Sequence, residues 1–129
     1  MPQNLDKDGL RSKINSYELF FIDIWGVIHN GLQIFEDSIE VLENLKKNNK
    51  EFVLLTNAPR PNSTVIDFLK KMGLKKFYED VFTSGEASLK YLMENFLNAK
   101  FYHIGPPRDF DLFKSCLLYT SPSPRDVNR

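Results

Sequence analysis

Glu18-Leu19-Phe20-Phe21-Ile22-Asp23-Ile24-Trp25-Gly26-Val27, residues 18–27, opens the patterned part of the chain. Residues 18–24 form a short apolar, aromatic-rich run, which reads as a buried strand. The run ends on a carboxylate and then on Trp25-Gly26, where glycine lets the backbone turn. The same alternation repeats downstream. Residues 36–48 place Ile39, Leu42 and Leu45 on one face, with Glu40, Glu43, Lys46 and Lys47 elsewhere, the pattern of an amphipathic helix. Glu51-Phe52-Val53-Leu54-Leu55 is a second buried strand, stopped by Thr56-Asn57-Ala58-Pro59-Arg60-Pro61. Asn62 or Ser63 can cap the next helix, which turns Val65, Ile66, Leu69 and Met72 inward and stops at Gly73. Residues 80–83 are a third strand. Ser84 then caps a helix to residue 97 with Leu89, Leu92, Met93 and Phe96 as its stripe. Residues 100–104 are a fourth strand, ended by Gly105-Pro106-Pro107, and residues 1–17 are expected to add a peripheral helix around Leu10 and Ile14. Phe20, Phe52 and Phe101 are read as core strand residues. Strands separated by helices of this length imply right-handed crossovers and a mostly parallel sheet, an α/β fold.

Composition narrows the function classes. The 129 residues are 42% hydrophobic and 26% charged, an ordinary globular balance that argues against disorder. Lys and Arg number 17 and so do Asp and Glu, so a nucleic-acid binder working through bulk charge is not expected. Apolar runs such as Leu19-Phe20-Phe21-Ile22 are too short to span a bilayer, so no membrane partner is expected. The N-terminus is polar and has no signal-peptide core, which makes a cytoplasmic address the expectation. One cysteine, Cys116, excludes an internal disulfide framework and a cysteine-rich zinc site. Nothing in the sequence sets an oligomeric state.

The last segment breaks the pattern. Cys116-Leu117-Leu118-Tyr119-Thr120-Ser121-Pro122-Ser123-Pro124-Arg125-Asp126 has neither helical nor strand period. It resembles one reading frame of a transposase-type DNA library adapter. TGT-CTC-TTA-TAC-ACA-TCT gives Cys116 to Ser121, and CCG-AGC-CCA-CGA-GAC gives Pro122 to Asp126. Residues 116–129 are therefore expected to be a foreign tail, the alternative being a natural Ser/Pro-rich linker. Genomic reads running past Ser115 with this tail intact would exclude the adapter.

In parallel α/β sheets ligands bind beyond the carboxyl ends of strands. Those ends are residues 23–26 and 56–57 here. An unpaired carboxylate at the end of an apolar strand is costly, and a hard cation such as Mg²⁺ is its natural partner. Gly26 would bring backbone amides toward an anion. Thr56 offers a hydroxyl and Asn57 an amide donor. Together these groups suit phosphoryl transfer through an aspartyl-phosphate. Singly, each could be only a turn residue.

Phe21-Ile22-Asp23-Ile24-Trp25-Gly26-Val27-Ile28-His29-Asn30-Gly31 resembles the first motif of the haloacid dehalogenase superfamily of hydrolases. Leu54-Leu55-Thr56-Asn57-Ala58-Pro59-Arg60-Pro61 and Val81-Phe82-Thr83-Ser84-Gly85-Glu86-Ala87 follow in the order of its subclass IIA. Tyr102-His103-Ile104-Gly105-Pro106-Pro107-Arg108-Asp109 is similar to a later segment of the branch with Asp-x-Trp-Gly-Val. The resemblance implies a Rossmann-like core with a parallel sheet, broken by an inserted α/β cap. On that pattern residues 18–76 are the N-terminal part of the core and residues 77–115 the start of the cap. Asp23 would be the nucleophile and a Mg²⁺ ligand, with the Trp25 backbone carbonyl as a second ligand. Thr56 would bind the phosphoryl oxygen, assisted by Asn57 and the amides near Gly26. The substrate class implied is a small phosphorylated metabolite.

Two departures from the family pattern matter. Its phosphatases usually carry a second Asp two residues after the nucleophile as general acid/base, worth about 10²–10⁴-fold in rate. Trp25 stands there instead and could form an apolar wall for the leaving group. The family also takes a Lys and an acidic motif from segments beyond the cap, which these 129 residues do not hold. The expectation is an N-terminal fragment without turnover of its own. A non-catalytic phosphate- or partner-binding protein that kept the fold is the alternative. A phospho-receiver domain is excluded, because its acidic pair sits at an earlier strand end and Asp6 and Asp8 precede any strand.

The remaining polar residues read simply. Arg60 either reaches an anionic substrate or is an exposed loop cation. His29 is expected in the loop after Asp23, beside the site, and His103 at a strand end. Lys46, Lys47, Lys50, Lys75 and Lys76 are expected at solvated helix ends, where cations favour the dipole.

Overall fold

The computed structural model describes residues 4–113 and the backbone of Thr120 and Ser121. The chain divides into two compact units, Met1–Leu54 and Leu55–Arg129. Their strands are β1 (Leu19–Asp23), β2 (Glu51–Thr56) and β3 (Val81–Thr83), which form one parallel sheet in the order β1-β2-β3. The α/β, Rossmann-like reading holds.

In the first unit β1 leads through a loop to α1 (Glu36–Lys47). Leu42 and Leu45 are buried, with Ile24, Ile28, Phe52 and Leu54 completing the core. Acidic Glu36 and Asp37 start α1 and Lys46 and Lys47 end it, each sign at the helix end whose dipole favours it. Lys50 differs from expectation. It is buried, with its Nζ 3.1 Å from Glu18 Oε1. The Lys46 ammonium lies 4.4 Å from the Phe52 ring centroid.

β1 is less buried than its composition suggests. It is an edge strand, and Leu19 and Phe21 are 48% and 70% exposed while Phe20 and Ile22 are half-buried. Residues 4–16 form two short 3-10 turns, Leu10–Ser12 and Ile14–Ser16, in place of the expected helix. The cause is local. Gly9 has φ +64°, and the Ser12 hydroxyl donates to Gly9 O at 3.0 Å, competing with helical bonding.

The second unit holds the end of β2, then α2 (Asn62–Lys71), β3 and α3 (Ser84–Asn95). Leu69, Leu74, Val81 and Leu89 are its buried apolar side chains. Gly73 at φ +106° ends α2 as expected. Both caps move by one residue or more. Pro61 stands at the α2 cap, where its fixed φ fits, and Thr83 rather than Ser84 caps α3, its hydroxyl accepting from Glu86 N at 2.9 Å. The α3 stripe is covered only in part, since Leu89 is buried while Met93 and Phe96 are exposed.

The fourth strand is β4 (Phe101–Tyr102), only two residues long and separate from the main sheet. It pairs in parallel with β5 (Thr120–Ser121), Phe101 with Thr120 and Tyr102 with Ser121. Phe101 is half-buried. Apart from that two-residue backbone, the adapter-like segment 116–129 lies outside the described residues. No helix among the described residues is long and apolar enough to cross a membrane.

Candidate functional site

Asp23 is the last residue of β1. It is exposed, so no desolvation cost attaches to its carboxylate here, contrary to the expectation from its apolar neighbours. The reason is the uncovered face of the edge strand. Asp23 Oδ1 accepts from the Ile24 amide at 2.8 Å. Ile24 and Ile28, both buried, anchor the loop that follows.

That loop is tightly bonded. The Ile24 carbonyl accepts from Val27 N at 3.2 Å and Ile28 N at 2.8 Å. Gly26 takes φ +79°, as the turn requires, but its amide donates to His29 O at 2.8 Å. Gly26 thus shapes the turn, and its own N–H is committed within the loop rather than offered to an anion. Trp25 is 64% exposed. Its ring meets His29 edge-on, with centroids 5.1 Å apart, and lies over Gly31. Gly31 has φ +91°, a backbone conformation that favours glycine, and a Cβ there would displace the far end of the Trp25 ring.

His29 is the residue that sequence reasoning underrated. It is buried, its Nδ1 accepts from Gly31 N at 2.8 Å, and it bridges to both Trp25 and Ile34. The signal was Asn30-Gly31, a turn dipeptide that folds the preceding residue inward. Asn30 Oδ1 accepts from Leu32 N and Gln33 N, each at 2.9 Å. Burial holds the His29 imidazole below its ordinary 6.5. The folded chain therefore binds this proton less readily than the unfolded chain, so stability rises with pH across the window. The contribution is full above about 6.5 and is lost as pH falls below it. Chemical denaturation at pH 7.5 and 5.5 should show the acid loss, and His29→Asn, whose Oδ1 can accept in place of Nδ1, should flatten it. An equal slope in both proteins would refute the assignment to His29.

In the second unit Thr56 ends β2 half-buried, and Asn57 follows exposed. Thr56 Oγ1 accepts from Ala58 N at 3.3 Å. With a lone pair so used, its hydroxyl hydrogen points away from Ala58 and can be donated to an anion. The loop beyond is tied to the start of α3. Ala58 O accepts from Gly85 N at 3.0 Å and Ser84 Oγ at 3.1 Å, and Arg60 O accepts from Thr83 Oγ1 at 2.5 Å. Asn62 Oδ1 accepts from Thr83 N at 2.9 Å, and Glu86 Oε2 from Asn62 N at 3.1 Å.

Arg60 is not a free loop cation. Its Nη2 and Nε donate to Asp111 Oδ2 at 2.9 and 3.2 Å, and the Thr64 hydroxyl donates to the same oxygen at 2.7 Å. The guanidinium is held within the unit by a carboxylate 51 residues away, a pairing that local sequence cannot show. His103 packs edge-on against Phe110 and Phe113, with centroids 4.9 and 5.5 Å away.

Asp23, Trp25 and Gly26 thus share one loop of the first unit, and Thr56, Asn57 and Arg60 one loop of the second. Among the described residues no three His, Cys, Asp or Glu gather as a metal cage. The donors of the first loop are a carboxylate and a backbone carbonyl, both hard oxygens. Mg²⁺ takes such donors one or two at a time and keeps several waters, so these residues fit part of its shell.

A family model described as haloacid dehalogenase-like hydrolase matches residues 20–117. The chain is 27% identical over 93 residues to the 5'-nucleotidase YutF of Bacillus subtilis (strain 168), covering 71% of this chain and 36% of that protein. A haloacid dehalogenase-like hydrolase from Brucella suis 1330 superposes with a TM-score of 0.73 at 27% identity, over 94% of this chain and 44% of its own. A 4-nitrophenylphosphatase from Thermotoga maritima gives 0.66 at 28% identity, over 79% and 40%. The chain therefore spans less than half the length of each of these relatives.

Proposed function

Since the chain belongs to the haloacid dehalogenase-like hydrolases, we propose that it is the N-terminal share of a Mg²⁺-dependent phosphohydrolase acting on a small phosphorylated metabolite. The observation that carries this reading is Asp23. Its carboxylate stands exposed at the end of β1, at the head of a loop whose turn is closed by its own hydrogen bonds. A solvated carboxylate on a rigid support can reach a phosphorus atom. A carboxylate oxygen of Asp23 would form the new O–P bond while the ester O–P bond breaks and the alcohol leaves. Water would then cleave the aspartyl-phosphate, releasing inorganic phosphate and restoring Asp23.

The other residues divide the supporting work. The Thr56 hydroxyl and the Asn57 amide would donate to phosphoryl oxygens. Asp23 and the Trp25 carbonyl would hold Mg²⁺, which when bound offsets phosphoryl charge. Gly26 keeps the turn. Trp25 offers no proton, so the leaving oxygen would take its proton from water. A cytoplasmic address fits this substrate class, since charged phosphate esters do not cross bilayers unaided. Residues 77–115 would begin the cap, and residues 116–129 would be foreign.

A second reading is favoured by Trp25 itself. Its packing on His29 and Gly31 fills the acid/base position with an indole, as a non-catalytic phosphate- or partner-binding protein of this fold could. One experiment separates the two. A complete protein carrying residues 1–115 is expected to hydrolyse small phosphate esters when Mg²⁺ is supplied, and the 129-residue chain is expected to show no turnover. Silence of the complete protein across a broad ester panel would favour binding alone.

A further inference from the structure

Five hydrogen bonds join the Thr83-Ser84-Gly85-Glu86 segment to the loop after Thr56-Asn57. A helix cap needs only one of its own, the Thr83–Glu86 bond. The excess is directed at backbone atoms of Ala58 and Arg60 and at Asn62. Ala58 is held from both sides, its carbonyl accepting twice from the segment and its amide donating to Thr56 Oγ1. Gly85 closes the contact. A Cβ there would clash with the backbone N and O of Arg60, and backbone atoms cannot swing aside as a flexible side chain can.

We propose that this segment is a latch that positions the Thr56 hydroxyl toward an anionic oxygen, with Gly85 as the positioning residue. The proposal rests on the reading of Thr56 as a phosphoryl contact. Gly85 allows α3 to approach the loop, the approach places two donors on Ala58 O, and the fixed Ala58 directs its amide to one lone pair of Thr56 Oγ1. The hydroxyl hydrogen is then left only the rotor positions that point away from Ala58. A donor held in place before the ligand arrives costs no reorganisation when it binds. Without the latch the loop would rotate and the hydroxyl would sample several rotamers.

The test uses the isotopically labelled 129-residue chain. Three-bond couplings of Thr56 report its χ1, and titration with inorganic phosphate reports the contact. The expected result is one χ1 rotamer in the parent chain, with phosphate-dependent shifts at the Thr56 and Asn57 amides. In Gly85→Ala the couplings should average and phosphate affinity should fall about tenfold, while helical circular dichroism is kept. Parent couplings and affinity retained in folded Gly85→Ala would overturn the latch and leave the phosphate contact standing. A lower denaturation midpoint with unmoved couplings would overturn it too, as a purely structural role. No phosphate effect at Thr56 in the parent would overturn the phosphate contact and, with it, the role assigned to the latch. If Gly85→Ala loses its helical signal, Ser84→Ala removes one bond without adding atoms and takes its place. Averaged couplings there, restored by Ser84→Thr, support the latch, and parent-like couplings in Ser84→Ala overturn it.

Discussion

Asp23→Asn is expected to lower ester hydrolysis by the complete protein by about 10⁴-fold or more, the scale of losing a covalent nucleophile. The substitution is nearly isosteric. The amide side chain it introduces keeps an oxygen able to accept from the Ile24 amide, the bond that orients Asp23 at 2.8 Å. What is lost is the negative charge and the nucleophilic oxygen. Because Asp23 is exposed, the change should leave the unfolding midpoint close to that of the parent. The diagnostic pair is therefore a collapsed rate with an unchanged denaturation curve. Acid-stable trapping of labelled phosphate on the parent protein, absent in Asp23→Asn, places the intermediate on this residue. A variant that retains a tenth of parent activity would exclude Asp23 as the nucleophile.

The second large effect runs the other way. Trp25→Asp in the complete protein is expected to raise kcat by about 10²–10⁴-fold, the usual worth of a positioned general acid/base. The gain should fall mainly on kcat, because proton transfer acts in the transition state and adds little to ground-state binding. Trp25 is 64% exposed, so the replacement buries no new charge. It does give up the edge contact with His29 and the cover over Gly31, a loss of about 0.5–1.5 kcal/mol. A steady-state comparison over a panel of phosphate esters decides the matter. High turnover with Trp25 intact would remove the binding-only reading. A complete protein with no turnover before or after the substitution would show that the missing acid is not what silences it.

Much of the fold could be read because its signals are local. The apolar runs around Phe20 and Phe52 and the 3.6-residue stripe of α1 depend on neighbours a few residues away. The misreadings share one cause, tertiary competition. Asn62 is a good cap by type, yet its side chain is drawn to the Thr83 amide, 21 residues on. Lys50 follows a helix whose other lysines look solvated, yet it is buried and pairs with Glu18. Phe21 belongs by composition to a core, but an edge strand leaves it uncovered.

The candidate site divides the same way. The places of Asp23, Thr56 and Asn57 at the ends of β1 and β2 were legible, because short apolar runs that stop on polar residues mark where strands end. The commitment of the Gly26 amide to His29, the burial of His29 and the capture of Arg60 by Asp111 were not. The first two depend on how a loop closes on itself, and the third on a side chain 51 residues away.

The ties between the loop after Thr56 and the start of α3 also have a consequence in time. They close chain segments of 21 to 27 residues. Loops of that length cost little more entropy to close than shorter ones, since the penalty grows only as the logarithm of length. A ribosome, however, makes Thr56 and Asn57 well before it makes Thr83 to Glu86. During synthesis the second strand end must exist for a while with its turn unset. It acquires its shape only when β3 and the first turn of α3 have emerged and docked.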